Sequence, residues 1–583
     1  MAAVALTTIW MAACQPSAAA IGDGAPRTAP AIAPRRVPVF PAEWRFRAGR
    51  DAVFAPKAII SSNSRLASEA GIEILKRGGN AVDAAVATGF ALAVTFPVAG
   101  NIGGGGFMVI RMADGRTAAL DYREVAPLAA TRDMYLDAQG NLTDKSLVGH
   151  LASGVPGAVA GMSEALKRYG TMSLREVMEP AIKLAADGFE VDSTLWGSLE
   201  DDQELLTRFA GAATFYPGGK ALAPGTPFAQ PDLARTLRLI SERGSAAFYE
   251  GEIADLLVAE MERGGGIITK VDLVRYKPLW REPIRGTYRG FTLIAMPPAS
   301  SGGTTMIETL NVLETYDSLP AFSSAAYNHL LAESMRRAFV DRNTKLGDPA
   351  FAKIPVAELT SKEYAQTLRK TIEPARASRT PKFAGTTGGS GTHTTHYSVV
   401  DAFGNAVATT TTLNGGYGSG VYVPGAGFFL NNEMDDFAAQ PGKPNMFGLV
   451  QGEVNAVAPG KRMLSAMSPT VVLDRNGQLL LVVGAAGGPT IITGTMQVIL
   501  NVIEHRMTLA DAMSAPRVHH QAWPDSLRYE HNGLSAPAMD SLTSMGHHLW
   551  RVRSLVNVNA VMRVQDGYHG VHEPRSSGAS VGY

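Results

Sequence analysis

The sequence predicts an α+β protein in which antiparallel sheets pack on one another between helices. Helical patterns dominate residues 160 to 380, and alternating β-branched segments dominate after 390. Regular βαβ alternation is missing, which argues against a doubly wound parallel sheet. No fixed-period repeat is visible.

The elements follow in order. Residues 1–20, MAAVALTTIWMAACQPSAAA, form an apolar, small-residue stretch that ends abruptly. It is too short to span a bilayer and reads as an export signal, so the expected location is the bacterial periplasm. Two processing sites compete there. Met11-Ala12-Ala13-Cys14 resembles a lipobox that would lipidate Cys14, and Ala18-Ala19-Ala20 resembles an A-x-A cleavage site. Residues 21–57 have the Pro- and Ala-rich composition of a linker, and order is expected from Ala58. Ser64 caps a helix with Leu66, Ala70 and Ile74 on one face, ended by Gly78-Gly79. Ala81 to Val98 is nearly all apolar but holds Asp83 and Pro97, which makes it a buried helix and not a membrane span. Three hairpins are expected later, turning at 401–405, Asn476-Gly477 and Asp566-Gly567. Helical patterns at 488–515 lie between them.

Composition narrows the function. Lys+Arg 53 balances Asp+Glu 53, which argues against a sequence-independent nucleic-acid binder. Hydrophobic residues at 45% and charged ones at 18% can build a large core. The single cysteine, Cys14, excludes an intrachain disulfide and a cysteine-based zinc site.

Several signals carry no chemistry of their own. Gly103 to Gly106 lacks the Lys-Ser/Thr of a phosphate loop and reads as a close-approach loop. His519-His520 and His547-His548 are adjacent pairs whose side chains diverge, so they read as structural or surface histidines. HExxH is absent, and the GxSxG letters occur only at Gly578 to Gly582, without the strand-turn-helix context of a nucleophile elbow. No metal and no cofactor is expected. What remains is Gly391-Thr392-His393-Thr394-Thr395-His396, a threonine pair between a Gly/Thr-rich stretch and a β-branched segment. It is either a loop entering a strand or a point of backbone cleavage. In the second case the freed α-amine of Thr394, with an ordinary pKa of about 7.7–8.0, is a base placed beside its own hydroxyl.

From about Ala58 to Tyr583 the chain resembles the γ-glutamyltranspeptidase family of N-terminal-nucleophile hydrolases. The resemblance is carried by LASEAGIEILKRGGNAVDAAVA, GNIGGGGFMVIR, LDYREVAP, MPPASSGG, TTHYSVVDAFGNAV, LNNEMDDF, MSPT, AGGPTIIT and VHEPRSSGASVGY. It implies a four-layer αββα sandwich made as one precursor. Cleavage between His393 and Thr394 would leave a large subunit, 58–393, associated with a small one, 394–583. It further implies that Thr394 is the nucleophile, that Thr412 steadies it, and that the Gly487 and Gly488 N–H groups form the oxyanion hole. Arg123 would clamp the α-carboxylate of a γ-glutamyl group, helped by Ser465, while Asn414, Glu433 and Asp436 would hold its ammonium. The implied substrates are glutathione and other γ-glutamyl compounds, with water, amino acids or peptides as acceptors. The rivals are a glutaryl (cephalosporin-type) acylase and an uncleaved lipoprotein that binds γ-glutamyl peptides without catalysis.

Three positions depart from the family pattern. Ala466 follows Ser465 where a second serine is common, so one hydroxyl for the carboxylate is missing. Phe447 stands where some bacterial members carry a lid tyrosine, and the segment before the helix reads Ala485-Ala486-Gly487-Gly488-Pro489.

Overall fold

The computed structural model describes residues 37–49, 51–380 and 394–583. The export-signal stretch with Cys14, linker residues 21–36 and the Gly/Thr stretch through His393 lie outside the described residues.

Two seven-stranded sheets form the centre. The first runs, in spatial order, Ala579–Gly582, Ile59–Ser62, Thr394–Val400, Ala406–Thr412, Gly105–Arg111, Thr117–Tyr122 and Leu279–Arg281. The second runs Val53–Ala55, Gly567–Val571, Asn557–Val564, Leu479–Ala486, Thr470–Leu473, Phe291–Ala295 and Ile284–Tyr288. Every pairing within both sheets is antiparallel. On one outer face lie the helices Arg65–Lys76, Ala81–Thr95, Ala158–Tyr169, Leu174–Asp187 and Pro231–Arg243, in one hydrophobic cluster with Ile60, Met108, Tyr397 and Val407. On the other lie Gly302–Glu314, Ala325–Lys345, Thr490–Ile503 and Leu509–Ser514, clustered with Ile294, Val471 and Val482. This is the expected αββα sandwich.

Strand alternation decides what each layer sees. Tyr397 and Val399 face the first helix layer, so Thr394, His396 and Ser398 face the second sheet. The Ser398 hydroxyl donates to Val482 O across the interface at 3.1 Å, and Asn559 Nδ2 donates back to His396 O at 2.9 Å. Gly484 makes room for the imidazole, because a Cβ there would lie 2.4 Å from the His396 ring.

The sequence signals find physical partners. Ser64 caps Arg65–Lys76 by accepting from Ala67 N. All of Ala81–Thr95 is buried, which explains a helix apolar all round. Its one charge is spent: Asp83 closes a capping box on Asn80 N at 2.7 Å and accepts from Thr171 N at 2.9 Å. Among the described residues no helix is long and apolar enough to cross a membrane. The three hairpins form at the expected turns, and Asp401 closes the first by accepting from Phe403 N and Asn405 N, both at 2.9 Å.

Two expectations need correction. Order begins before Ala58, so the stretch 21–57 is not linker throughout. Trp44 is 6% exposed and donates its ring N–H to Ser514 O at 2.8 Å, and Val53–Ala55 is a sheet edge. Arg575 stacks over the Trp44 and Phe46 rings at 5.4 and 5.0 Å, and this aromatic anchoring outweighs the Pro-rich composition. Likewise the helical region contains strands Leu279–Arg281 and Ile284–Tyr288 at sheet edges, and Phe291–Ala295 one strand in from the second of these. Short edge strands bury only part of one face, so their pattern is weak.

Candidate active site

Register brings the first two site residues together. Thr394 opens its strand directly opposite Thr412, the last residue of the neighbouring strand. Opposed residues sit close enough for short side chains to touch, and Thr394 Oγ1 donates to Thr412 Oγ1 at 3.2 Å. Thr412 Oγ1 also accepts from Asn414 N at 2.8 Å. Behind this pair, Asn101 Nδ2 donates to Thr412 O at 2.9 Å. A Cβ on Gly104 would lie 2.1 Å from that same carbonyl, so the glycine run is the close-approach loop its composition suggests. His396, two residues beyond Thr394, is no catalytic base. Its nitrogens face Thr410 Oγ1 at 2.8 Å and Ser398 Oγ at 3.1 Å, and burial lowers its pKa to about 3, so it stays neutral.

A cavity opens on Thr394 and is lined by Thr412, Arg123, Asn414, Glu433, Asp436, Ser465 and Gly488, among others. Gly487 stands next to Gly488 at the bend into Thr490–Ile503, yet it does not line the cavity. Gly488 has φ +56°, and a Cβ on it would lie 2.6 Å from the Phe447 ring. Phe447 therefore closes this wall by apolar packing where a lid tyrosine would offer a hydroxyl. Its own carbonyl accepts from Gln521 Nε2 at 3.2 Å. Asn414 takes a left-handed backbone, φ +79°, which asparagine tolerates well, and its Nδ2 donates to Asn432 O at 3.0 Å. Ser465 Oγ accepts from Met467 N at 3.1 Å, which leaves its proton to donate elsewhere.

The charges form one buried cluster. Arg123 Nη1 lies 2.6 Å from Glu433 Oε2 and 3.6 Å from Glu124 Oε2, and Nη2 pairs with Asp436. Burial opposes the arginine's charge, but Glu433, Asp436 and Glu124 outweigh it and hold its pKa above the ordinary value. Burial raises the pKa values of Glu433 and Asp436, and Arg123 only partly offsets this. The sequence assigned the cation and the two anions to opposite ends of a ligand; the fold pairs them with each other. A zwitterionic ligand can take over both sets of partners without changing the site's net charge.

Glu124 is a residue the sequence reading passed over. It is fully buried behind Arg123, and burial raises its pKa from 4.5 to about 7, with Asp436 and Asp121 adding to the rise and Arg123 opposing it. A carboxyl raised on folding contributes stability that is full below about 4.5 and is lost as pH rises through 7. Glu124→Gln is thus expected to gain on the wild type between pH 5 and pH 8, by on the order of 1–3 kcal/mol. Denaturant unfolding at the two pH values checks this, and a pH-independent difference counts against it.

Arg342 and Leu449 also line the cavity and escaped the sequence reading, since nothing local marks them. The adjacent histidines prove structural. His519 bonds Thr493 Oγ1 and Gln521 Oε1, both at 2.9 Å, while His547 is buried and His548 exposed. His329, Glu333 and His547 lie near enough to share a metal ion, but both His329 nitrogens, His547 Nε2 and the Glu333 carboxylate already have protein partners. His329 Nε2 donates to Glu373 O at 2.8 Å, so its bare Nδ1 accepts from His547 Nε2 at 2.8 Å. Glu333 faces Arg336 at 3.3 Å and Arg337 at 2.7 Å.

Comparison with known proteins agrees with this geometry. The family model described as Gamma-glutamyltranspeptidase matches residues 67–583. The chain is 46% identical over 534 residues to the glutathione hydrolase proenzyme of Escherichia coli, covering 90% of this chain and 91% of that one. It is 40% identical over 523 residues to the acylase ACY 1 proenzyme of a Pseudomonas species, covering 88% and 90%. The crystal structure of a cephalosporin acylase from Bacillus halodurans superposes with TM-score 0.82 at 29% identity, covering 93% of this chain and 99% of that one. A strand that opens on a paired threonine hydroxyl, a helix-entry glycine pair and a paired-charge pocket thus occur together in a sandwich of the right kind, and the chain belongs to the γ-glutamyltranspeptidase family.

Proposed function

We propose that the chain cuts itself before Thr394 and that the freed threonine hydrolyses or transfers γ-glutamyl groups, those of glutathione among them. The observation that carries this is the Thr394–Thr412 hydroxyl pair opening onto a pocket with both signs of charge. In maturation Thr394 Oγ attacks the His393 carbonyl carbon, the peptide C–N bond breaks, and the resulting ester is opened by water. The product termini are a His393 carboxylate and a Thr394 amine.

In turnover that amine takes the proton from Thr394 Oγ as the oxygen attacks the γ-carbonyl carbon. The Gly488 N–H, at the cavity wall and uncommitted to other described residues, meets the developing oxyanion, and the neighbouring Gly487 N–H, also uncommitted to them, serves as the second donor of this reading. The protonated amine then returns its proton to the leaving nitrogen as the amide bond breaks. Water, an amino acid or a peptide amine resolves the acyl-threonine ester. Asn414 N–H holds Thr412 Oγ1 in place throughout. The donor's carboxylate takes Arg123 and Ser465, and its ammonium takes Glu433, Asp436 and Asn414.

The glutaryl acylase reading fits less well, because a glutaryl group has no cation for the buried Glu433 and Asp436 carboxylates. Hydrolysis of γ-glutamyl and glutaryl p-nitroanilides compares the two readings, with faster γ-glutamyl turnover expected; equal or faster glutaryl turnover removes the substrate assignment. N-terminal sequencing of the smaller fragment, expected to begin Thr-Thr-His, tests maturation independently. A chain that stays uncut supports the non-catalytic binder. In this reading residues 1–20 direct export and Cys14 carries the lipid, which cell fractionation checks.

A further inference from the structure

The cavity holds a second guanidinium. Arg342, in the last turn of Ala325–Lys345, is 1% exposed and lines the same cavity as Thr394, Ser465 and Ala466. Its hydrogen bonds all go to neutral acceptors: Nε to Ser301 Oγ at 3.0 Å, and Nη1 to Asn343 Oδ1 at 2.9 Å and Gln451 Oε1 at 3.3 Å. Among the described residues no carboxylate lies within ion-pair distance of it, and its Nη2 donates no hydrogen bond. Burial lowers its pKa to about 10, with Arg123 adding to the fall and Asp436 opposing it, so it remains a cation at neutral pH.

The two arginines are therefore unequal. Arg123 is shared among three carboxylates, while Arg342 carries a buried charge with no anion of its own. A buried unpaired charge is expensive, so an anion that completes the pair gains more there than at a satisfied site. Arg342 also reaches the carboxylate wall through one intermediary. Ser301, which accepts from its Nε, donates from its hydroxyl and its N–H to Ser465 O at 2.6 and 2.8 Å. That wall is the one where Ala466 offers no hydroxyl.

We propose that Arg342 is a specificity-determining residue for the donor: its charge, which has no ion-pair partner among the described residues, and its Nη2 face the donor's carboxylate on the Ser465 wall, in place of the hydroxyl that Ala466 lacks. This rests on the acyl-transfer reading above and names the group that selects its substrate.

The test compares three anilides on the mature, cleaved enzyme and its variants. γ-Glutamyl p-nitroanilide has carboxylate and ammonium, glutaryl p-nitroanilide has the carboxylate alone, and 4-aminobutyryl p-nitroanilide has the ammonium alone. Arg342→Gln is expected to raise KM about 10- to 100-fold for the two carboxylated donors and less than about 3-fold for the 4-aminobutyryl donor, with kcat little changed. Arg342→Lys, which keeps the charge, is expected to recover about 10-fold of that loss. An equal loss on all three donors, or an unchanged KM for the carboxylated pair, overturns the proposal. If Arg342→Gln fails to mature, the same comparison on Arg342→Lys decides: a loss confined to carboxylated donors upholds it, and a uniform loss or none overturns it. A wild type that prefers the glutaryl anilide would remove the γ-glutamyl assignment alone, because both carboxylated donors probe Arg342 equally.

Discussion

Thr394→Ala is expected to leave one uncut chain near the full 61.6 kDa and to lower γ-glutamyl hydrolysis at least about 10⁴-fold, the scale of losing a nucleophile. Both effects have one cause, since the same oxygen opens the backbone and later attacks the substrate. The alternative bases are too few to rescue either step. His396 is neutral and bonded through both nitrogens, and Thr412 has its hydroxyl oxygen fixed by Asn414 N. Thr394→Ser keeps the hydroxyl and is expected to mature and turn over, at a reduced rate because the γ-methyl no longer restricts χ1. A denaturing gel and a γ-glutamyl anilide assay read both variants. Cleavage persisting in the alanine variant would place the attacking group elsewhere.

Arg123→Gln is the second large effect and acts on stability and binding together. Glutamine cannot neutralise Glu433, Asp436 and Glu124, which are all buried. Removing one partner of such a cluster costs about 3–5 kcal/mol at neutral pH. The sign of its pH dependence follows. Without the guanidinium the folded-state carboxyl pKa values rise further, so the variant's deficit shrinks as pH falls and these groups protonate. The same change removes a charged fork for the donor's carboxylate, and kcat/KM is expected to fall about 10²- to 10³-fold, chiefly through KM. Denaturant unfolding at pH 5 and 8, with steady-state kinetics on the cleaved enzyme, measures both. A deficit that grows towards low pH would contradict the ion-pair account. Arg123→Lys is expected to restore stability better than binding, because an ammonium matches the charge but not the fork.

Residues close in sequence were the ones legible in advance. The Thr394–Thr412 hairpin was visible because its strands alternate around an aspartate turn, and antiparallel pairing then sets its two ends opposite each other. Asp83 and Pro97 marked the 81–98 segment as a globular helix because a membrane span tolerates neither charge nor break well. Arg123, Glu433, Asp436 and Ser465 could be named only through family resemblance, because no spacing rule links residues so far apart. Arg342 and Glu124 were missed for a related reason. Each lies in a segment of ordinary composition, and only burial against Asp436 and Arg123 distinguishes it from a surface charge.

The sequence by itself determined the α+β class and the hairpins and, through family resemblance, named most of the residues that gather around Thr394. The tertiary structure decided how those residues share their charge: which arginine is neutralised by three carboxylates and which is left without an anion. Local patterns report on neighbours within a few positions of the chain, through backbone geometry and periodicity. Electrostatic balance depends instead on distance and burial in space, and only the packed sandwich sets those.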